Sequence, residues 1–153
     1  LIRLSKLSDY AIVALCELAR LPMGSAASAC VLAQRTGVPE PTVAKLMKAL
    51  ARDGILASHR GITGGYSLSR PAAAISVADV IAALEGPIAL TDCVDGHEGG
   101  CATEGSCQVR GNWNKINDAI KSALAAVSLA DMAQPSYVPA LSAADIGLEQ
   151  VDA

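Results

Sequence analysis

Cys93, Cys101 and Cys107 fall within fifteen residues of one another, in the stretch TDCVDGHEGGCATEGSCQVRGNW from Thr91 to Trp113. Asp92, Asp95, His97, Glu98 and Glu104 share that stretch, with four glycines between the first and last cysteine. No apolar period of 2 or 3.6 runs through it, so burial of an apolar face cannot order it. A metal centre held by three thiolates can, because ligand binding is then folding free energy. The remaining two cysteines, Cys16 and Cys30, sit in apolar or helical contexts and read as small buried residues.

Elements must hold such a loop in place. Ser8 suits an N-cap with Asp9 in the first turn of a helix from Tyr10 to Leu21, where Ala11, Ala14, Leu15 and Leu18 share a face and Pro22 and Gly24 stop it. Ser28 caps a second helix, Ala29 to Thr36, with Val31, Leu32 and Ala33 inward and Gly37 in the left-handed position that ends it. Pro41 suits the first turn of a third helix reaching Asp53, with Val43, Leu46, Met47 and Leu50 buried. Strands Ile55–His59 and Tyr66–Leu68 flank a glycine-rich turn, which makes the arrangement a winged helix-turn-helix. Ser76 and Asp79 form a capping box for a fourth helix, Val77–Glu85, ended by Gly86 and Pro87. Beyond the cysteines, apolar residues at 113, 116, 120, 124 and 127 predict one long helix from Trp113 to Asp131 or Met132. Its stripe suits pairing with the same helix of a second subunit, the alternative being packing onto the chain's own first helix.

The predicted fold is therefore mainly α, and the chain divides into four parts. Residues 1–86 form the DNA-binding region, 87–112 the cysteine loop, 113–132 the dimerisation helix and 133–153 a disordered tail. A chain of 153 residues with 52% apolar content suits one domain with an appendage, and the absence of Phe leaves Ala, Leu, Val and Ile to build the core. The first residues interleave charged and apolar side chains, unlike a signal peptide, and no run approaches the roughly 20 apolar residues that span a bilayer. A cytoplasmic location without membrane association is expected. There, clustered cysteines bind metal or do redox chemistry more often than they form disulfides.

Charge is uneven along the chain: residues 1–70 carry nine Lys and Arg against four Asp and Glu, and residues 71–153 carry three against eleven. A basic front half suits double-stranded DNA. On the third helix Thr42, Lys45, Lys48 and Arg52 lie outside the apolar stripe, where they can meet phosphates and base edges, and Arg60 stands at the wing tip among glycines. Glu40 and Thr42, either side of Pro41, are candidate base readers, Glu accepting from cytosine; compensation of the helix dipole is the other reading of Glu40. Arg20 and Arg70 read as solvated charges. A dimer would present two such helices to the half-sites of a pseudo-palindromic operator. No phosphate loop, dinucleotide fingerprint or catalytic triad order is present, so no enzyme is expected.

Taken together, RLSKLSDYAIVALCELA, LAQRTGVPEPTVAKLMKAL, HRGITGGYSLSRP, ISVADVIAALEGPIALTDC and the late cysteines resemble the Rrf2 family of winged-helix transcription regulators. Within it, the resemblance is closest to the SUF-system iron–sulfur assembly regulators and covers residues 1 to about 132. It implies a homodimeric repressor of the cluster-assembly operon, with an iron–sulfur cluster, 2Fe-2S, on Cys93, Cys101 and Cys107. It further implies that the helix from Pro41 is the recognition helix and that Arg60 enters the minor groove. One position departs from the pattern: the general cluster regulator has a ligand histidine three residues after its last cysteine, where this chain has Arg110, which cannot ligate. His97 is then a candidate fourth ligand, and Asp9 from the partner subunit another. The alternatives are an iron–sulfur electron carrier and a repressor with a structural zinc loop.

Overall fold

Turn chemistry and apolar spacing set most of the helix boundaries in the computed structural model, which describes residues 2–94 and 101–135. The elements run α1 (Lys6–Ala19), α2 (Ala29–Thr36), α3 (Glu40–Arg52), β1 (Leu56–His59), β2 (Gly65–Leu68), a 3-10 turn (Ala72–Ala74), α4 (Val77–Glu85), α5 (Arg110–Ala125) and α6 (Leu129–Met132). Ser28 caps α2 through its hydroxyl, which accepts from the Val31 N–H, and Gly37 ends it at φ 75°. The α3 stripe of Val43, Leu46, Met47 and Leu50 is buried as its spacing predicts.

One core, built around α1, unites the elements. Ala11, Ala14 and Leu15 are fully buried there, with Leu32, Val43, Met47, Leu50, Ile75, Val80 and Leu129 around them, and α1 packs on α2, α3, α4 and α6. The wing is an antiparallel hairpin in the register Leu56↔Leu68 to His59↔Gly65. A third segment joins it: Ala27 N–H donates to the Tyr66 carbonyl at 3.0 Å and Tyr66 N–H to the Ala27 carbonyl at 2.9 Å. Only glycine allows so close an approach at residue 65, since a Cβ there would stand 2.4 Å from the Ala27 carbonyl oxygen. The chain is thus a winged helix-turn-helix.

Three expectations about α1 and α2 need correction. α1 starts at Lys6, its N-cap is Ser5, whose hydroxyl accepts from the Ser8 N–H, and Ser8 is a buried helical residue. Capping still uses a serine three residues before its N–H partner, but Ser5 leaves Ser8 free to face α4. Val31 is exposed at 37%, because the short α2 buries only Leu32. Cys30 is exposed in the first turn of α2, whereas Cys16 is buried, and burial pushes the Cys16 thiol up.

The long C-terminal helix is not continuous. α5 begins at Arg110, three residues before Trp113, and stops at Ala125; a second capping box then forms, with Ser128 and Asp131 each bonding the other's backbone N–H, and α6 starts. Val127 therefore lies in a bend, not on a stripe. The two capping boxes meet, as Val77 N–H donates to the Val127 carbonyl at 2.9 Å and Leu129 N–H to the Ile75 carbonyl at 2.8 Å. This bridge returns the chain to the core, where Leu129 is fully buried. The tail beyond residue 135, expected to be disordered, lies outside the described residues. Among the described residues no helix is long and apolar enough to cross a membrane.

Candidate nucleic-acid interface and metal centre

α3 turns its polar face away from the core because its apolar residues recur at helical spacing on the other side. Glu40, Pro41, Lys45, Lys48 and Arg52 are exposed and Thr42 is half-buried. Residues 45, 48 and 52 follow the i, i+3, i+7 spacing of one helix face. Glu40 stands in the first turn with Pro39 as N-cap, where a carboxylate compensates the helix dipole.

Pairing separates two sets of basic residues. Arg20 bonds Glu17, Arg35 lies 3.9 Å from the same carboxylate, and Arg70 lies 3.3 Å from Asp79. Among the described residues Lys45, Lys48 and Arg60 enter no ion pair, and Arg52 has only its neighbour Asp53, at 3.9 Å. The unpaired charges on α3 and the wing tip are therefore free for phosphate. Arg20 and Arg70 are partnered within the fold, not purely solvated as the sequence suggests.

The second candidate site forms where α5 meets the segment after α4. Cys93, Cys101 and Cys107 line one cleft of about 440 Å³ with Leu90, Thr91, Asp92, Thr103 and Trp113. Cys93 Sγ lies 3.2 Å from Thr91 Oγ1, and Cys101 Sγ lies 3.3 Å from Thr103 Oγ1. Hydrogen bonding from Thr103 holds the Cys101 thiol below its ordinary range, which favours the thiolate that binds metal. Among the described residues, no three His, Cys, Asp or Glu side chains are gathered tightly enough to hold a metal ion. The donor set fits an iron–sulfur cluster in chemistry: three thiols line a common cleft beside an indole and a leucine. Asp9 is exposed in the first turn of α1 and is not among the cleft's lining residues. His97 lies outside the described residues.

Arg110, at the position where the general cluster regulator has its histidine, forms an ion pair of 2.5 Å with Glu104. It ties the end of the cysteine segment to the first turn of α5. Two further contacts were missed by sequence reasoning. Asn117 is fully buried on α5, its Nδ2 donating to the Ile88 carbonyl and its Oδ1 accepting from the Leu90 N–H, both at 3.1 Å. A polar residue beside the apolar positions 116 and 120 was the available signal. Glu85, the last residue of α4, accepts from both Ser5 and Ser8 of α1, and these bonds hold its carboxyl below the usual range.

Comparison with known proteins places these features in context. The pattern of the Rrf2 family, described as an iron-dependent transcriptional regulator, matches residues 4–135. The transcriptional regulator IscR of Xenorhabdus nematophila is 30% identical over 136 residues, spanning 89% of this chain and 82% of the relative. The structure of CymR, the global cysteine regulator of B. subtilis, superposes with a TM-score of 0.68 at 29% identity, covering 87% of this chain and 97% of CymR. T. potens IscR gives 0.66 at 27% identity, covering 90% and 94%.

Proposed function

Because the chain belongs to the Rrf2 family of DNA-binding transcription regulators, we propose that it is a cytoplasmic, homodimeric repressor that senses an iron–sulfur cluster and controls the SUF cluster-assembly operon. One observation carries the sensing half: three free cysteines line a single cleft at the foot of α5. Cys93, Cys101 and Cys107 would hold the cluster, 2Fe-2S, with His97 or Asp9 as the fourth ligand. When bound, the cluster supplies a thiolate-held crosslink that oxidants, nitric oxide or iron shortage remove.

The chain's own residues would do the rest. Thr42, Lys45, Lys48 and Arg52, with Glu40 and Pro41 at the helix start, present α3 to a major groove, and Arg60 presents a charge at the wing tip. The exposed apolar residues Val109, Trp113 and Ile116 on and beside α5 suit a partner copy, which would fix the spacing of two α3 helices on a pseudo-palindrome. Asn117 links residues 88 and 90 to α5, so movement at Cys93 is felt by the pairing helix. Ordering of the cleft thereby biases the dimer toward a DNA-competent spacing.

Anaerobic purification followed by a visible spectrum and footprinting on the promoter of the assembly operon tests this reading. Coloured protein that protects a two-fold site, with protection lost in Cys93→Ser/Cys101→Ser/Cys107→Ser, is the expected outcome. A colourless zinc protein, or a triple variant that protects the site as well as wild type, overturns it. A regulator that responds to cysteine supply is the second reading, favoured by the likeness to CymR, the global cysteine regulator of B. subtilis.

A further inference from the structure

α5 has 16 residues and buries one of them, Asn117. Val109, Trp113 and Ile116, spaced i, i+4 and i+7 along one face, stay 49%, 37% and 48% exposed. With Asn112 they line a groove of about 230 Å³. Trp113 also lines the cleft of about 440 Å³ shared by Cys93, Cys101 and Cys107, and it alone is common to the two linings. Its N–H donates to the Val109 carbonyl at 3.4 Å, so the indole rides on the first turn of α5. One turn on, Asn117 anchors the same helix to the backbone of Leu90, itself part of the thiol cleft.

We propose that Trp113 couples the thiol cleft to the pairing face of α5. The inference rests on the metal-centre and homodimer readings above. A large, rigid ring that borders two sites cannot serve them independently: whatever fixes its position for one fixes it for the other. The occupant of the groove is a second copy of α5. A helix whose only fully buried side chain is polar has little packing of its own, and helices of about 12–15 residues are marginal in water without tertiary support. Two-fold pairing supplies that support with the same patch from both chains. The partner packs on Val109 and Ile116 and restrains the indole between them. A restrained indole keeps water from one side of the thiol cleft and slows the loss of a bound metal. By reciprocity, a filled cleft presents the partner with a fixed indole.

Cobalt(II) alone is the probe, added without air to the full chain, because thiolate ligation colours it and the bound ion quenches nearby indole emission. Trp113 is the sole tryptophan, so that emission reports on this residue. Quenching should follow the thiolate band and vanish in Cys93→Ser/Cys101→Ser/Cys107→Ser. Release to excess chelator should be about tenfold faster in Trp113→Ala and within about twofold of wild type in Trp113→Phe, which keeps an aromatic wall. Ile116 does not line the thiol cleft. Ile116→Ala should still speed release about threefold, and by less than about 1.5-fold once Trp113 is alanine. An Ile116→Ala effect that survives intact in the Trp113→Ala background, or release from Trp113→Ala at the wild-type rate, overturns the coupling. A missing thiolate band overturns the metal-centre reading, and a monomer in sedimentation equilibrium overturns the homodimer reading; either result takes this inference with it.

Discussion

Asn117 shows how one side chain can set a loop's entrance. Its amide meets a carbonyl and an N–H two residues apart, so the backbone from 88 to 90 follows α5. Asn117→Ala leaves both backbone groups without that partner, and each unsatisfied buried group costs about 1–3 kcal/mol. The expected result is a loss of about 2 kcal/mol in urea unfolding and, where the proposed cluster is reconstituted, faster bleaching in air. Asn117→Leu, which fills the space without the hydrogen bonds, should bleach as fast as the alanine variant if positioning matters. Arg110 acts at the same scale. Its sequence position looked like a lost ligand, and in the fold it is an anchor for Glu104.

At the scale of elements, α1 and α4 meet through Glu85, which accepts from two serines of α1. Its folded carboxyl lies below the ordinary carboxylate value, so these bonds stabilise the fold above the unfolded value of about 4.3 and the stabilisation is lost as pH falls through the lower folded value. Glu85→Gln should lower stability at neutral pH by about 1 kcal/mol and flatten the fall in melting temperature below about pH 4, a comparison that thermal melts across pH settle directly. Much of this level was legible beforehand. Ser28, Gly37, Ser76 and Gly86 are local signals whose physics lies within a few residues, and α2 and α4 ended where they indicated. Boundaries that depend on distant partners were not legible. Ser5 and Ser8 compete for the cap of α1, and Glu85, eighty residues from Ser5, decides how both hydroxyls are used. The break after Ala125 had a local signal in Ser128 and Asp131, but the apolar period from 113 to 127 masked it. The stripe's spacing fitted one straight helix, and only the core's need for Leu129 bends it. The α3 face was legible in full, since amphipathic spacing alone separates its lysines from its core residues.

For the molecule as a whole, the bridge between residues 75–77 and 127–129 makes α5 a beam held at its middle, by Asn117, and beyond its C-terminal end, by Leu129 in the core. Leu129→Ala should cost about 2–5 kcal/mol, since it empties a fully buried site between α1 and the turn at Ala72–Ala74. Calorimetry should show that drop, and hydrogen exchange should show α5 and α1 losing protection together. If α5 loosens alone, α6 is a local plug and not part of the beam's support. The hook at Ser128 also bears on how this regulator is turned over. A chain cleaved between Ala126 and Ser128 would keep α3, the wing and all five cysteines, yet it would shed Leu129, the side chain that seals the centre of the fold. Such a fragment would also keep α5 whole, so the empty site left by Leu129 is what would set it apart from the intact chain.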